Sequence, residues 1–76
     1  MGQGDILELL EKESSIENPL SIREIANKIN EKNVNKIFRD IKKLLHYKEI
    51  DYLEIDKETA NIKYKSKRRL RVYFVH

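Results

Sequence analysis

The chain has 76 residues, no cysteine, and charged side chains at 38% of its positions. A chain of this length builds one domain with a thin hydrophobic core, and without cysteine it has neither a disulfide framework nor a thiolate metal site. Its net charge of +3 is uneven, because residues 1–33 hold 4 Lys or Arg against 7 Asp or Glu, whereas residues 34–76 hold 12 against 6; such asymmetry indicates a polyanion partner for the second half.

The first two predicted helices are short and amphipathic. Residues 5–14 form the first, and Pro19 disfavours helix at the residue before it. The second helix, residues 21–30, begins with the sequence Ser-Ile-Arg-Glu, a capping box in which Ser21 and Glu24 each accept a hydrogen bond from the other's backbone. Apolar residues recur at helical spacing in both helices: Ile6, Leu9, Leu10, Ile22, Ile25, Ala26 and Ile29.

The third predicted helix spans residues 34–47 and has two contrasting faces. Asn33 is a suitable N-cap. The predicted buried arc consists of Val34, Ile37, Phe38, Ile41, Leu44 and Leu45. The opposite arc carries Asn35, Lys36, Arg39, Lys42, Lys43 and His46. The pattern therefore predicts a helix with one face buried in the core and the opposite face cationic.

After the third helix the apolar period changes from 3.6 to 2, which predicts strands at residues 50–56, 60–65 and 70–75 joined by hairpin turns. In the last strand, alternation predicts that Leu70, Val72 and Phe74 face inward and that Tyr73 and Val75 face outward. Six cations lie within nine residues of this region: Lys63, Lys65, Lys67, Arg68, Arg69 and Arg71. A charge run is usually a solvated surface, but a second cationic surface on the third helix favours nucleic acid.

Other classes of function lack the residues that they need. Gly2 and Gly4 are the only glycines, so no glycine-rich loop can hold a phosphate. Neither His46 nor His76 has a partner at metal-ligand spacing. No apolar run approaches the roughly 20 residues of a membrane-spanning helix, and the start of the chain lacks the layout of a signal peptide. We expect a soluble cytoplasmic protein that is not an enzyme and has no metal, cofactor or membrane partner.

The order of these elements resembles the winged helix-turn-helix family. The segment PLSIREIANKI is similar to the first helix of the motif in bacterial and archaeal repressors, and VNKIFRDIKKLLHYKEI resembles their recognition helix and the step into the wing. Many such regulators have glycine at the position of Lys48, so here the helix is expected to end in another way. The resemblance implies an α+β fold of residues 1–76, with three helices followed by a small antiparallel hairpin or three-stranded wing.

The resemblance also implies a function, namely sequence-specific binding of double-stranded DNA by a transcription regulator. Helix 34–47 would enter the major groove, and wing residues 63–71 would lie on phosphates. Arg39 suits guanine and Asn35 suits adenine. The other expected contacts come from Lys36, Lys42, Lys43, Lys63, Lys65, Lys67, Arg68, Arg69 and Arg71.

A homodimer is expected, since one module recognises few base pairs; the first helix and the last strand are the surfaces considered for it. No small-molecule effector is evident. Two alternatives stay open: a protein-docking module of a transcription or replication assembly, and an architectural protein that coats DNA without base recognition.

Overall fold

Three amphipathic helices make up the first half of the fold. In the computed structural model, which describes residues 3–75, they are α1 (Gln3–Glu13), α2 (Ile22–Ile29) and α3 (Val34–His46). The predicted capping box is confirmed, because Ser21 Oγ accepts the Glu24 N–H at 3.2 Å and Glu24 Oε1 accepts the Ser21 N–H at 3.0 Å. Asn33 caps α3 in a similar way, with its Oδ1 3.1 Å from the Asn35 nitrogen. The chain therefore starts α2 and α3 with local side-chain bonds.

α3 ends through Lys48, which itself adopts the left-handed conformation with a φ of 59°. The Lys48 N–H donates to the Leu45 carbonyl at 3.0 Å, and the Glu49 N–H donates to the Leu44 carbonyl at 2.9 Å. This is the Schellman pattern that glycine usually completes. The expectation that the helix ends in another way is therefore wrong, because lysine occupies the glycine conformation. Left-handed conformations also occur at Asn30 and Lys65.

The main core lies between the three helices and the sheet, and its buried members are Ile6, Leu10, Leu20, Ile25, Ala26, Ile37, Ile41, Leu44, Ile50 and Tyr73. The buried stripe of α3 is narrower than predicted. Val34 is 47% exposed and Phe38 is 39% exposed, whereas Leu45 is partly buried. α3 packs on α1 and α2 through Ile37, Ile41 and Leu44, so Val34 and Phe38 lie at the flank of that contact.

The sheet is antiparallel and comprises β1 (Leu20–Ser21), β2 (Asp51–Ile55) and β3 (Leu70–Phe74) in the order β1-β3-β2. The last strand, which was considered from the sequence as a dimer surface, is therefore central in the sheet and not at its edge. Tyr73 was predicted to face outward, but it is 1% exposed and packs in the main core. Val72 and Phe74 alternate with it and are also buried. A central strand can bury both of its faces, which simple alternation does not reveal.

The predicted middle strand at residues 60–65 is instead a helix, α4 (Lys57–Tyr64). Residues 56–59, which were predicted to form the hairpin turn between the first two strands, instead form the start of α4. There, Asp56 Oδ1 accepts the Thr59 N–H at 2.8 Å. Hydrogen bonds from Thr59 stabilise the carboxylate and lower the pKa of Asp56. The α+β class is thus confirmed, but residues 3–75 contain four helices and not three.

Candidate nucleic-acid interface

A groove of about 930 Å³ separates α2 and the start of α3 from the segment that follows α4. Its apolar lining includes Ile22, Val34, Phe38 and Leu70. Its cationic lining consists of Arg23, Lys63, Lys65, Lys67, Arg68 and Arg71. The one acid among the described lining residues is Glu24, whose carboxylate already accepts the Ser21 amide of the capping box. We call this feature the cationic groove, and its charge suits an anionic ligand.

A side-chain hydrogen bond holds α4 beside this groove. Tyr64 Oη donates to the Pro19 carbonyl at 3.0 Å, across 45 positions of sequence. Partial burial, with a smaller contribution from Glu24, raises the pKa of Tyr64 above its ordinary value. Ser66 then orders the next turn, because its Oγ donates to the Arg68 carbonyl at 3.1 Å and accepts the Arg68 N–H at 3.3 Å. These bonds position the cations that follow α4.

The outer face of α3 is the second cationic surface, and it consists of Asn35, Lys36, Arg39, Lys42 and Lys43, all of them exposed. The ion pairs among described residues involve cations on other elements. No carboxylate of a described residue therefore lies within 4.0 Å of these lysines or of Arg39. Because these side chains are exposed, a ligand can reach their donors.

The predicted site residues fall into two neighbouring groups. The cationic groove gathers five of the six cations from the predicted wing, whereas Arg69 is exposed and lies outside its lining. Arg71 is already engaged, since its Nε lies 3.3 Å from Glu54 Oε1 and its Cζ lies 5.1 Å from the Tyr52 ring centroid. It is consequently the least available cation of the groove.

The groove lining also includes residues that were not predicted as site residues, among them Arg23, Val34 and Phe38. Arg23 has a readable signal, because it follows the capping residue of α2 by two positions and cannot lie on the buried stripe. Val34 and Phe38 have the spacing of core residues, so their exposure could not be inferred from the pattern. Lys42, one turn after Phe38, places its Nζ 5.0 Å from the ring centroid of Phe38. This cation–π contact joins the flank of α3 to its outer face.

Among residues 3–75, no group of three or more His, Asp or Glu side chains is placed to hold a metal ion. In the same part of the chain, no helix combines the length and apolar character needed to cross a membrane. His76 lies outside the described residues.

No protein-family model matches the chain, and no curated protein or solved structure matches it either. The geometry and charge of the two cationic surfaces are therefore the features that indicate a function.

Proposed function

We propose that this protein is a winged helix-turn-helix transcription regulator that binds double-stranded DNA, with α3 in the major groove and residues 63–71 along the phosphates. The observation that carries the proposal is the presence of two cationic surfaces, namely the outer face of α3 and the cationic lining of the groove. In this proposal the wing is the β2–β3 pair, and α4 lies in the segment of the chain that connects the two strands. An α2–turn–α3 unit with both helices capped supplies the helix-turn-helix.

The side chains suit the two parts of a DNA site. The guanidinium of Arg39 can donate two hydrogen bonds to guanine, and the amide of Asn35 can pair with adenine. Lysines and arginines of the groove suit phosphates, which set the position of a protein on DNA without carrying sequence information. Phosphate contacts also release counterions, so affinity should depend strongly on salt. A cytoplasmic location is part of this proposal.

One observation favours docking on a protein as a second candidate. Val34 and Phe38 leave an exposed apolar pair on α3, and an exposed apolar patch is typical of a protein-binding site. The cations around this pair would then require an acidic partner. An architectural protein would use the same cationic surfaces as a regulator but would bind all duplexes alike.

Fluorescence anisotropy with labelled duplexes tests the proposal directly. The protein should bind a duplex selected from genomic fragments more tightly than one of random sequence. The logarithm of each association constant should fall linearly with the logarithm of salt concentration, by about 0.9 for each phosphate contact. Equal affinity for both duplexes would favour the architectural role, and no binding to any duplex at low salt would contradict the proposal.

The proposed regulator is a homodimer, because two half-sites related by a two-fold axis give more specificity than one. β3 is central in the sheet, so α1 is the remaining surface of the two considered from the sequence. β2 lies at a sheet edge with Tyr52 and Leu53 exposed by 39% and 40%, and it is a further candidate. Light scattering should give the mass of two chains on DNA, and a monomer both free and bound would rule out the dimer.

A further inference from the structure

Two large apolar side chains on α3 are exposed where the rest of the exposed helix surface is polar. Val34 and Phe38 are four positions apart, so they lie one above the other on the same side of the helix. They are 47% and 39% exposed, and both line the cationic groove. An isolated exposed apolar residue needs no explanation, but this pair lies between two cationic surfaces.

The surroundings of the pair indicate its ligand. Asn35 lies three positions before Phe38 and Lys42 four positions after it, so hydrogen-bond donors of the outer face of α3 adjoin the apolar pair. Lys42 Nζ lies 5.0 Å from the Phe38 ring centroid. The cations that line the cationic groove lie on the other side of the pair. A matching ligand therefore has an apolar group flanked by acceptors and by negative charge.

We infer that Val34 and Phe38 recognise the C5-methyl groups of thymine in the major groove. This inference rests on the proposed function. The edges of the base pairs in the major groove present donors and acceptors, and the thymine methyl is the apolar group among them. When α3 lies in the major groove of DNA, Val34 and Phe38 contact the thymine methyl, while the neighbouring cations contact phosphates and polar base edges. The pair thereby adds a preference for thymine to the polar contacts of Asn35 and Arg39.

An acidic protein segment could also meet an apolar pair among cations. The DNA interpretation is favoured because the exposed cations extend beyond the cationic groove over the outer face of α3. A protein segment that docks on the apolar pair would need a smaller cationic surface around that pair. A long polyanion matches this continuous distribution better than a short segment does.

Replacing thymine by uracil tests the inference, since it removes only the methyl group and keeps the polar base edge. A duplex that the wild-type protein selects from a random pool is prepared with thymine and again with uracil. The wild type should lose about fourfold in affinity for each methyl contact removed, the ratio that corresponds to about 0.8 kcal/mol for one buried carbon group. Phe38→Ala and Val34→Ala should bind the thymine duplex more weakly and should discriminate less between the two duplexes.

Two control variants keep the test specific. Ile16→Ala removes an apolar side chain that is 60% exposed from the segment between α1 and β1, outside the cationic groove and α3, and it should retain the full discrimination against uracil. Phe38→Leu keeps an apolar group at the same position and should retain part of it. Circular dichroism melts establish that each variant is folded, and the wild-type comparison of the two duplexes needs no variant.

The outcomes separate this inference from the proposed function. Equal wild-type affinity for the thymine and uracil duplexes would overturn the inference and leave DNA binding intact. Failure to bind either duplex would overturn both. Binding to poly-glutamate but to no duplex, with the binding lost in Phe38→Ala, would also overturn both and would support docking on an acidic protein.

Discussion

α3 and α4 both carry cations of the proposed DNA-binding surface, but they are fixed in different ways. α3 buries Ile37, Ile41 and Leu44 to 1% exposure or less, and its two ends are capped. α4 buries only Ala60 completely and leaves Ile62 76% exposed. A helix with several buried side chains has its position set by core packing, whereas α4 depends more on individual polar bonds.

In the proposed function, this difference would separate two tasks in DNA binding. Hydrogen bonds to base edges need donors at defined positions, so a helix anchored in the core suits base recognition. Phosphate contacts depend on charge and tolerate more variation in position, so a less tightly packed segment can supply them. The comparison predicts that changes in α3 alter stability or sequence preference, while changes around α4 alter general affinity.

The largest expected effect comes from placing a charge in the core. Ile41→Asp on α3, or Ile25→Asp on α2, should unfold the domain, because an unpaired buried charge costs several kcal/mol and a small domain has little stability to lose. Ile62→Asp on the exposed side of α4 is the matched control and should change the free energy of unfolding by less than about 0.5 kcal/mol. Thermal melts followed by circular dichroism measure all three.

A cooperative melt of Ile41→Asp at the wild-type temperature would show that α3 is not anchored as described. Strong destabilisation by Ile62→Asp would instead show that α4 packs more tightly than its exposure indicates. Either result removes the contrast between the two helices.

Arg39→Ala should give the next largest effect. If Arg39 donates to a base edge, its loss should cost about 1–3 kcal/mol on a selected duplex and much less on random DNA. Titration of both duplexes measures the difference. An equal loss on both would mean that Arg39 contacts phosphate and that α3 does not recognise bases through it.

The double variant Lys67→Ala/Arg68→Ala should weaken binding to selected and random duplexes alike. Each lost phosphate contact should flatten the plot of log affinity against log salt by about 0.9. Lys12→Ala is a suitable control, because Lys12 lies on α1 and pairs with Glu8 at 2.9 Å, outside both cationic surfaces. Identical salt slopes for the wild type and the double variant would exclude these two residues from phosphate binding.

Tyr64→Phe should have the smallest effect. It removes the hydroxyl that donates to the Pro19 carbonyl at 3.0 Å but keeps the ring, so it should cost about 1 kcal/mol of stability. Affinity for all duplexes should fall modestly without a change in sequence preference. Tyr47→Phe, at a ring that is 65% exposed, is the control and should leave both quantities unchanged. A changed preference in Tyr64→Phe would mean that α4 influences base recognition.

Sequence patterns predicted the first three helices but not α4. α1, α2 and α3 have apolar stripes at helical spacing, α2 and α3 also have capping residues, and the structure has helices at those places. Around α4, Ile62 and Tyr64 alternate with lysines as in a strand, but Asp56 starts a helix by accepting the Thr59 amide. Ile62 and Lys63 are both exposed on this helix, so the alternation of apolar and charged residues did not mark a buried and an exposed face.

The site was predictable only in its charges. Lysines and arginines at the surface are evident from composition and spacing, and the cations of α3 and of residues 63–71 are exposed or line the groove. The exposure of Val34 and Phe38 was not predictable, because it depends on how far α1 and α2 extend around α3. The burial of Tyr73 likewise depends on the strand order, which places β3 at the centre of the sheet.

The left-handed residues Asn30, Lys48 and Lys65 lie at the joints between elements of the proposed site. An L-residue with a side chain pays about 1–2 kcal/mol for this conformation, but it has fewer alternatives than glycine when the chain is unfolded. The joints are therefore stiffer than glycine joints would be. Folding already bears the entropy loss of aligning α3 with its neighbours, so less would remain to be lost in the proposed binding of DNA. Lysine at the end of α3 would thus preorganise the protein for the proposed ligand.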